Sequence, residues 1–187
     1  MRIISGKYGG RILRLPKGLP VRPTTDRTKE SLFNILSQRV QWRGLSVLDL
    51  FSGTGNISLE CWSRGATQVV SVDRHPRCVR AIRQGMSELG IQGAEVIQSD
   101  VKKFLRKTGR SFGLIFLDPP YDMEGQKELV LQVFAGQWLA PKGWLIIEHR
   151  SLRSFDDLPH FSFVRTYGSS SLSFFQQEAD DSVPQED

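Results

Sequence analysis

Val47-Leu48-Asp49-Leu50-Phe51-Ser52-Gly53-Thr54-Gly55 is the stretch on which the fold turns. Residues 47–51 form a short, nearly continuous apolar run, the pattern of a strand buried on both faces of a parallel sheet. The run ends in Ser52-Gly53-Thr54-Gly55, and residues 56–64 then read as a helix stopped by Gly65. A strand, a glycine-rich turn and a helix in that order mark where an open α/β sheet places its ligand. Gly53 and Gly55 allow the backbone to turn tightly and to approach that ligand closely.

The alternation continues outward. Residues 69–73 give a second strand, and Pro76 opens a helix whose Val79, Ile82, Met86 and Leu89 share one face. Residues 95–97 are a third strand, 101–107 a short helix, and 112–117 a strongly apolar fourth strand. A helix over 126–135 leads to a fifth strand at 144–148, and strands near 161–166 and 172–175 close the chain as a hairpin. On the amino-terminal side, residues 26–39 form a helix with the stripe Leu32, Phe33, Leu36 and Val40, capped by Thr25 or Asp26. Residues 2–22 are β-prone pieces broken by glycine and proline, an irregular hairpin arm with too few apolar residues for its own core. The expected fold is α/β and Rossmann-like, with helices on both faces of a mostly parallel sheet and a carboxyl-terminal antiparallel hairpin. The expected division is a basic arm at 1–25, a catalytic domain at 26–177 and an acidic, disordered tail at 178–187.

At 187 residues, 39% hydrophobic and 24% charged, the chain suits one soluble domain. No apolar run is long enough to span a membrane and no leader is legible, so a cytoplasmic location is expected. Cys61 and Cys78 lack metal-ligand spacing, as do His75, His149 and His160, so no metal is expected. A monomer is the default. The formal charge is +5, but residues 178–187 hold five acids and no base, and residues 1–43 hold ten bases against two acids. Such a front section has the charge of a phosphate-binding arm, with Arg2, Lys7, Arg11, Arg14, Arg22 and Arg27 as candidate nucleic-acid contacts.

The ligand of the glycine turn follows from its acids. Asp73, at the end of the next strand and 24 positions after Asp49, suits a carboxylate on ribose hydroxyls. A dinucleotide would need a third glycine where this chain has Ser58, and Asp49 would repel its phosphates. S-adenosylmethionine has no phosphate and carries an ammonium and a sulfonium, so an acid-lined loop suits it better. The candidate cofactor residues are Asp49, Phe51, Gly53, Gly55, Asp73 and Asp100. The last of these could meet an adenine amino group, cap the helix after it, or do both.

Asp118-Pro119-Pro120-Tyr121 closes the fourth strand beside that loop. A plain turn explains one proline, but not an acid, two prolines and an aromatic together at a central strand end. An exocyclic base amine is a poor nucleophile because its lone pair is delocalised into the ring. Acceptors on both its N–H groups, the Asp118 carboxylate and the Pro119 carbonyl, would favour a pyramidal nitrogen, and the stiff Pro119-Pro120 unit would fix that carbonyl. Tyr121 would stack on a splayed-out base, and Asp118 could take the proton late. The tetrad alone does not separate guanine N2 from adenine N6. A DNA adenine methyltransferase and a non-catalytic RNA-binding assembly factor stay open at this point; the first normally needs a recognition region that 187 residues hardly provide.

Arg2-Ile3-Ile4-Ser5-Gly6, Arg22-Pro23-Thr24-Thr25-Asp26-Arg27, the run from Lys29 to Leu36, Asp49 to Gly55, Ser63-Arg64-Gly65-Ala66 and Asp118 to Tyr121 resemble the bacterial RsmD-type 16S rRNA (guanine-N2)-methyltransferases. The likeness extends over about residues 1–177. It implies a class I methyltransferase fold, S-adenosylmethionine as donor, and a guanine of small-subunit rRNA, free or in the subunit, as target. It also implies that Asp49, Gly53, Gly55 and Asp73 line the cofactor, that Asp118, Pro119 and Tyr121 hold the base, and that Arg22, Pro23 and Thr24 lie near the mouth. The chain departs from the family at Asn56 and Trp62, where small residues are usual, and at Asp73, where glutamate is usual.

Overall fold

A computed structural model describes residues 1–178 apart from 15, 17, 20–25 and 108. Arg22, Pro23, Thr24, the proposed Thr25 cap and nearly all of the acidic tail therefore lie outside the described residues. The elements run α1 (Asp26–Ser37), β1 (Ser46–Leu50), α2 (Asn56–Arg64), β2 (Gln68–Asp73), α3 (Pro76–Glu88), β3 (Glu95–Gln98), α4 (Val101–Leu105), β4 (Phe112–Leu117), α5 (Gln126–Ala135), β5 (Leu139–Arg150), β6 (Phe161–Tyr167) and β7 (Ser170–Gln176).

The strands form one sheet in the order β3-β2-β1-β4-β5-β7-β6. The first five are parallel neighbours, and β7 runs antiparallel between β5 and the edge strand β6. The order reverses between β1 and β4, and a crevice opens at such a switch point. Strand alternation sorts the core into two layers. Leu48, Leu50, Ile115, Leu117, Leu145 and Ile147 face α4 and α5. Val47, Leu114, Phe116 and Ile146 face α1 and α2. The fifth strand is longer than its apolar centre suggests, because residues before Trp144 also pair with β4.

The amino-terminal segment solves its shortage of apolar residues by borrowing a core. A lone antiparallel bridge joins Arg2 and Ile12, while Ile3 and Leu13 bury themselves against Leu59 of α2 and Ile82 and Met86 of α3. Gly6 fits against α2 only as glycine: its φ is +83° and a Cβ would lie 1.9 Å from the Ser63 carbonyl oxygen.

A buried ion pair completes the attachment. Lys29 and Glu60 have fully buried side chains and meet at 2.9 Å. Glu60 also accepts from the Ile4 and Ser5 amides at 2.8 and 3.0 Å and from Arg64 Nε at 2.9 Å. Lys29 Nζ donates to the Arg2 carbonyl at 3.0 Å and to Asn56 Oδ1 at 2.8 Å. Both charges are thereby compensated, which a buried ion requires. Asn56, a departure from the family pattern, is the residue that opens α2 and completes this network.

Candidate active site

Every parallel strand ends at one edge of the sheet with an acid on or just beyond it: Asp100, Asp73, Asp49, Asp118 and Glu148, in the order β3, β2, β1, β4, β5. Alternation turns Asp49 toward α2. There its carboxylate accepts from the Ser58 amide at 3.1 Å and from the Ser58 hydroxyl, which also meets Ser71 Oγ at 2.7 Å. The serine that replaces a third glycine is thus what holds the acid beneath the loop. Burial nevertheless pushes the Asp49 carboxyl up to about 7, against the opposing pull of the Ser58 hydrogen bonds.

The glycine turn is wound tightly above it. Phe51 has φ 62° and Gly53 φ 54°. A left-handed backbone costs a bulky residue about 1–2 kcal/mol, a strain that clusters at functional sites. Ser52 holds it in place, its amide donating to the Val72 carbonyl at 3.0 Å and its hydroxyl to the Asp49 carbonyl at 2.5 Å. Gly55 has φ 77°, and a Cβ there would press on Ile82 at 3.0 Å. Asp73 ties the loop to β2, accepting from the Gly53 amide at 2.9 Å and from the His75 amide at 2.8 Å. Asp100 caps α4, accepting from the Lys103 amide at 3.0 Å, and its exposed position keeps it on the same edge.

Asp118 follows β4 directly, and its amide reaches back to the Leu50 carbonyl at 3.3 Å, beside the glycine turn. Pro119 is buried and Pro120 exposed. Buried Gln126, the first residue of α5, donates to the Pro120 carbonyl at 2.9 Å, so the loop is anchored from below. The Tyr121 hydroxyl donates to Glu148 Oε1 at 3.0 Å, and the Ser170 hydroxyl reaches the same oxygen at 3.2 Å. Because Leu117 pairs with Ile147, the next residues on each strand, Asp118 and Glu148, come side by side. Burial lifts the Asp118 carboxyl well above the usual carboxylate range, and the charges of Glu148 and Asp49 add to the effect. Burial also raises the Tyr121 phenol.

Glu148, Ser170 and Gln126 join the candidate site without a motif of their own in the sequence, and Ser58, which stands where a third glycine would, enters it as the partner of Asp49. An acid closing an apolar central strand two positions after Ile146 was the available signal for Glu148. His75 Nδ1 accepts from the Arg77 amide at 3.2 Å at the start of α3, and His149 meets Ser173 Oγ at 2.8 Å. Among the described residues no cluster of three or more histidine, cysteine or acidic side chains could hold a metal, and no helix is long and apolar enough to cross a membrane.

The basic candidates are dispersed. Arg2 pairs with Glu30 at 3.3 Å, Lys7 lies over the Tyr8 ring at 5.2 Å, and Arg11 reaches the Glu88 carbonyl at 3.5 Å. Arg14 and Arg27 are exposed.

Residues 1–176 match the family model described as conserved hypothetical protein 95. The putative rRNA methyltransferase YlbH of Bacillus subtilis is 33% identical over 186 residues, which cover 95% of this chain and 99% of that one. Ribosomal RNA small subunit methyltransferase D of Escherichia coli K12 is 29% identical over 182 residues, 96% of this chain and 91% of that one. Among solved structures, the putative methyltransferase yhhF from Escherichia coli superposes with a TM-score of 0.86 at 29% identity, covering 96% of this chain and 99% of its own.

Proposed function

The chain belongs to the RsmD-type family described as conserved hypothetical protein 95 and has the class I methyltransferase fold, and from that premise we propose that it methylates the exocyclic N2 amine of a guanine in small-subunit ribosomal RNA. The observation that carries the chemistry is Asp118 beside the glycine turn at the switch point, next to a Tyr121 held by Glu148. The names of the relatives support rRNA as the substrate, and the family resemblance supports guanine N2.

S-adenosylmethionine is the cofactor, and when bound it supplies a sulfonium methyl as the electrophile. The edge fits it: the positive-φ turn at Gly53 and Gly55 brings backbone close, and the acid row offers negative charge to a cationic ligand. Asp49, Phe51, Gly53, Gly55, Asp73 and Asp100 would hold it, Asp73 on the ribose. Asp118 and the Pro119 carbonyl would take the two N–H groups of the amine and aim its lone pair. The heightened proton affinity of Asp118 suits it to receive the proton that nitrogen sheds as the N–C bond forms. Tyr121, its hydroxyl tied down, presents a ring on which the extruded base stacks, worth about 1–3 kcal/mol.

Incubation with methyl-labelled cofactor and naked small-subunit rRNA, unmethylated small subunits, large subunits or duplex DNA, followed by nucleoside separation, tests the reading. N2-methylguanosine from small-subunit material is the expected product. N6-methyladenine from DNA, or no transfer to any of the four, would overturn it.

A further inference from the structure

Among the described residues, the positive surplus of the first 43 positions does not form one front. On the α1 side it is consumed: Arg2 pairs with Glu30 at 3.3 Å, and Lys29 is buried against Glu60. On the α3 side it is reinforced. Three described residues of this segment lie against α3: Arg11 Nη1 is 3.5 Å from the Glu88 carbonyl, Leu13 packs where a Gly85 Cβ would be, and Gly18 sits against the Arg77 guanidinium. Helix α3 then contributes a charge row of its own.

Arg74, Arg77, Arg80 and Arg83 recur at every third position and all are exposed, whereas Cys78, Val79, Ala81, Ile82, Gly85 and Met86 are buried. Arg74 stands two residues before α3, and from Arg77 to Arg83 steps of three residues advance about 4.5 Å along the helix and swing about 60° around it, so the row traces a slanting track rather than a point. The only acid of α3, Glu88, stands at its far end with its carboxylate engaged by Gln84 at 2.8 Å. Arg83 spends one donor on the Val96 carbonyl at 3.0 Å, which leaves the rest of its guanidinium fork for other partners. The row starts at the acid edge itself, since Asp73 accepts from the His75 amide immediately before α3.

We infer that the exposed face of α3, continued by Arg11 and Arg14 of the amino-terminal segment, is the surface that carries the phosphate backbone of the substrate RNA away from the target nucleotide. This rests on RNA being the substrate. Its occupant is a polyanionic strand because the face offers guanidinium groups spaced along a slanting track, with Ile12 between Arg11 and Arg14 as its one large exposed apolar side chain among the described residues. Arginine forks suit phosphate oxygens in two-point contacts.

The test uses the full chain and naked small-subunit rRNA, with binding and transfer followed from 50 to 200 mM salt. Each phosphate contact contributes a slope of about 0.7–0.9 in log affinity against log salt, a roughly threefold loss over that range. The double variant Arg80→Gln/Arg83→Gln should flatten the slope by about 1.4 to 1.8 and raise KM for RNA at low salt, the loss lying in KM. The charge-preserving pair Arg80→Lys/Arg83→Lys should recover most of the slope, which a folding defect would not allow. Arg165→Gln, which removes a single positive charge on the edge strand β6, should leave the slope in place. A double variant whose slope and KM equal those of the unaltered chain overturns the surface while the RNA reading stands. An unaltered chain that neither binds rRNA with a salt slope nor methylates it overturns both.

Discussion

The acid edge of the sheet and the arginine face of α3 carry opposite charges and are built in opposite ways. Asp49 and Asp73 are buried, each holding two donors in place, and Asp118 and Glu148 stand side by side under Tyr121. The arginines of α3 are exposed side chains on one helix. A buried charge is fixed in direction and shifted in proton affinity, so it can select a geometry and take a proton. An exposed row acts at longer range, tolerates many poses and yields to salt. The proposed chemistry draws on the first region, and the proposed capture of a polyanion on the second.

The sharpest break falls on the acid edge. Asp118→Ala should lower kcat by about 10²–10⁴, the range for losing a positioned proton acceptor, with the cofactor affinity measured by calorimetry nearly intact. Full turnover in that variant would remove the mechanism. Next in size is the joint that fastens the amino-terminal segment and α1 to α2. Lys29→Ala should cost about 3 kcal/mol in urea unfolding, because it strands the buried Glu60 carboxylate. Arg64 remains at 2.9 Å to limit the loss. An unchanged midpoint would mean that the network does not hold the amino-terminal segment.

A pH test isolates Asp49. Its folded pKa of about 7 exceeds the ordinary aspartate value of 3.8, so the folded state holds this proton more tightly than the unfolded chain does. The stabilisation is therefore complete below about pH 4 and is lost as pH rises through about 7. Between pH 5 and 8 this group should take away about 2–3 kcal/mol. Thermal melts of Asp49→Asn should show that much less decline over the same interval. A decline equal to that of the unaltered chain would place the titration elsewhere. The smallest effect belongs to Glu148→Gln, which keeps an acceptor for the Tyr121 hydroxyl but removes the charge beside Asp118. A fall in kcat of about tenfold is expected, with the acid limb of the pH–rate profile moving to lower pH. A limb that does not move would show that Glu148 acts on Tyr121 alone.

The two regions were not equally legible in the sequence. Continuous apolar runs at 47–51, 69–73 and 112–117 announced a buried parallel sheet, and the glycine turn and Asp118-Pro119-Pro120-Tyr121 marked the edge on which the proposed site is built, because backbone demands write themselves into local residue choice. Residues that act across the sheet left weaker traces. Glu148 read as the polar end of a strand, and its meaning depends on register with Leu117. Ser58 read as a missing glycine, though it is the partner of Asp49. Lys29 was counted with the surface bases, yet it is buried and paired. Charge tallies along the chain cannot see such neutralisation, which is why the basic front had to be divided once the chain was folded.

The division of labour itself is tested most directly on the unaltered chain, by measuring kcat and KM for naked small-subunit rRNA at several salt concentrations between 50 and 200 mM. A KM that climbs steeply while kcat stays level is the expected result, since the salt-sensitive contacts lie away from the buried acids. A kcat at saturating RNA that falls in step with rising salt would contradict the separation, and with it the assignment of chemistry to the acid edge and capture to the arginine face.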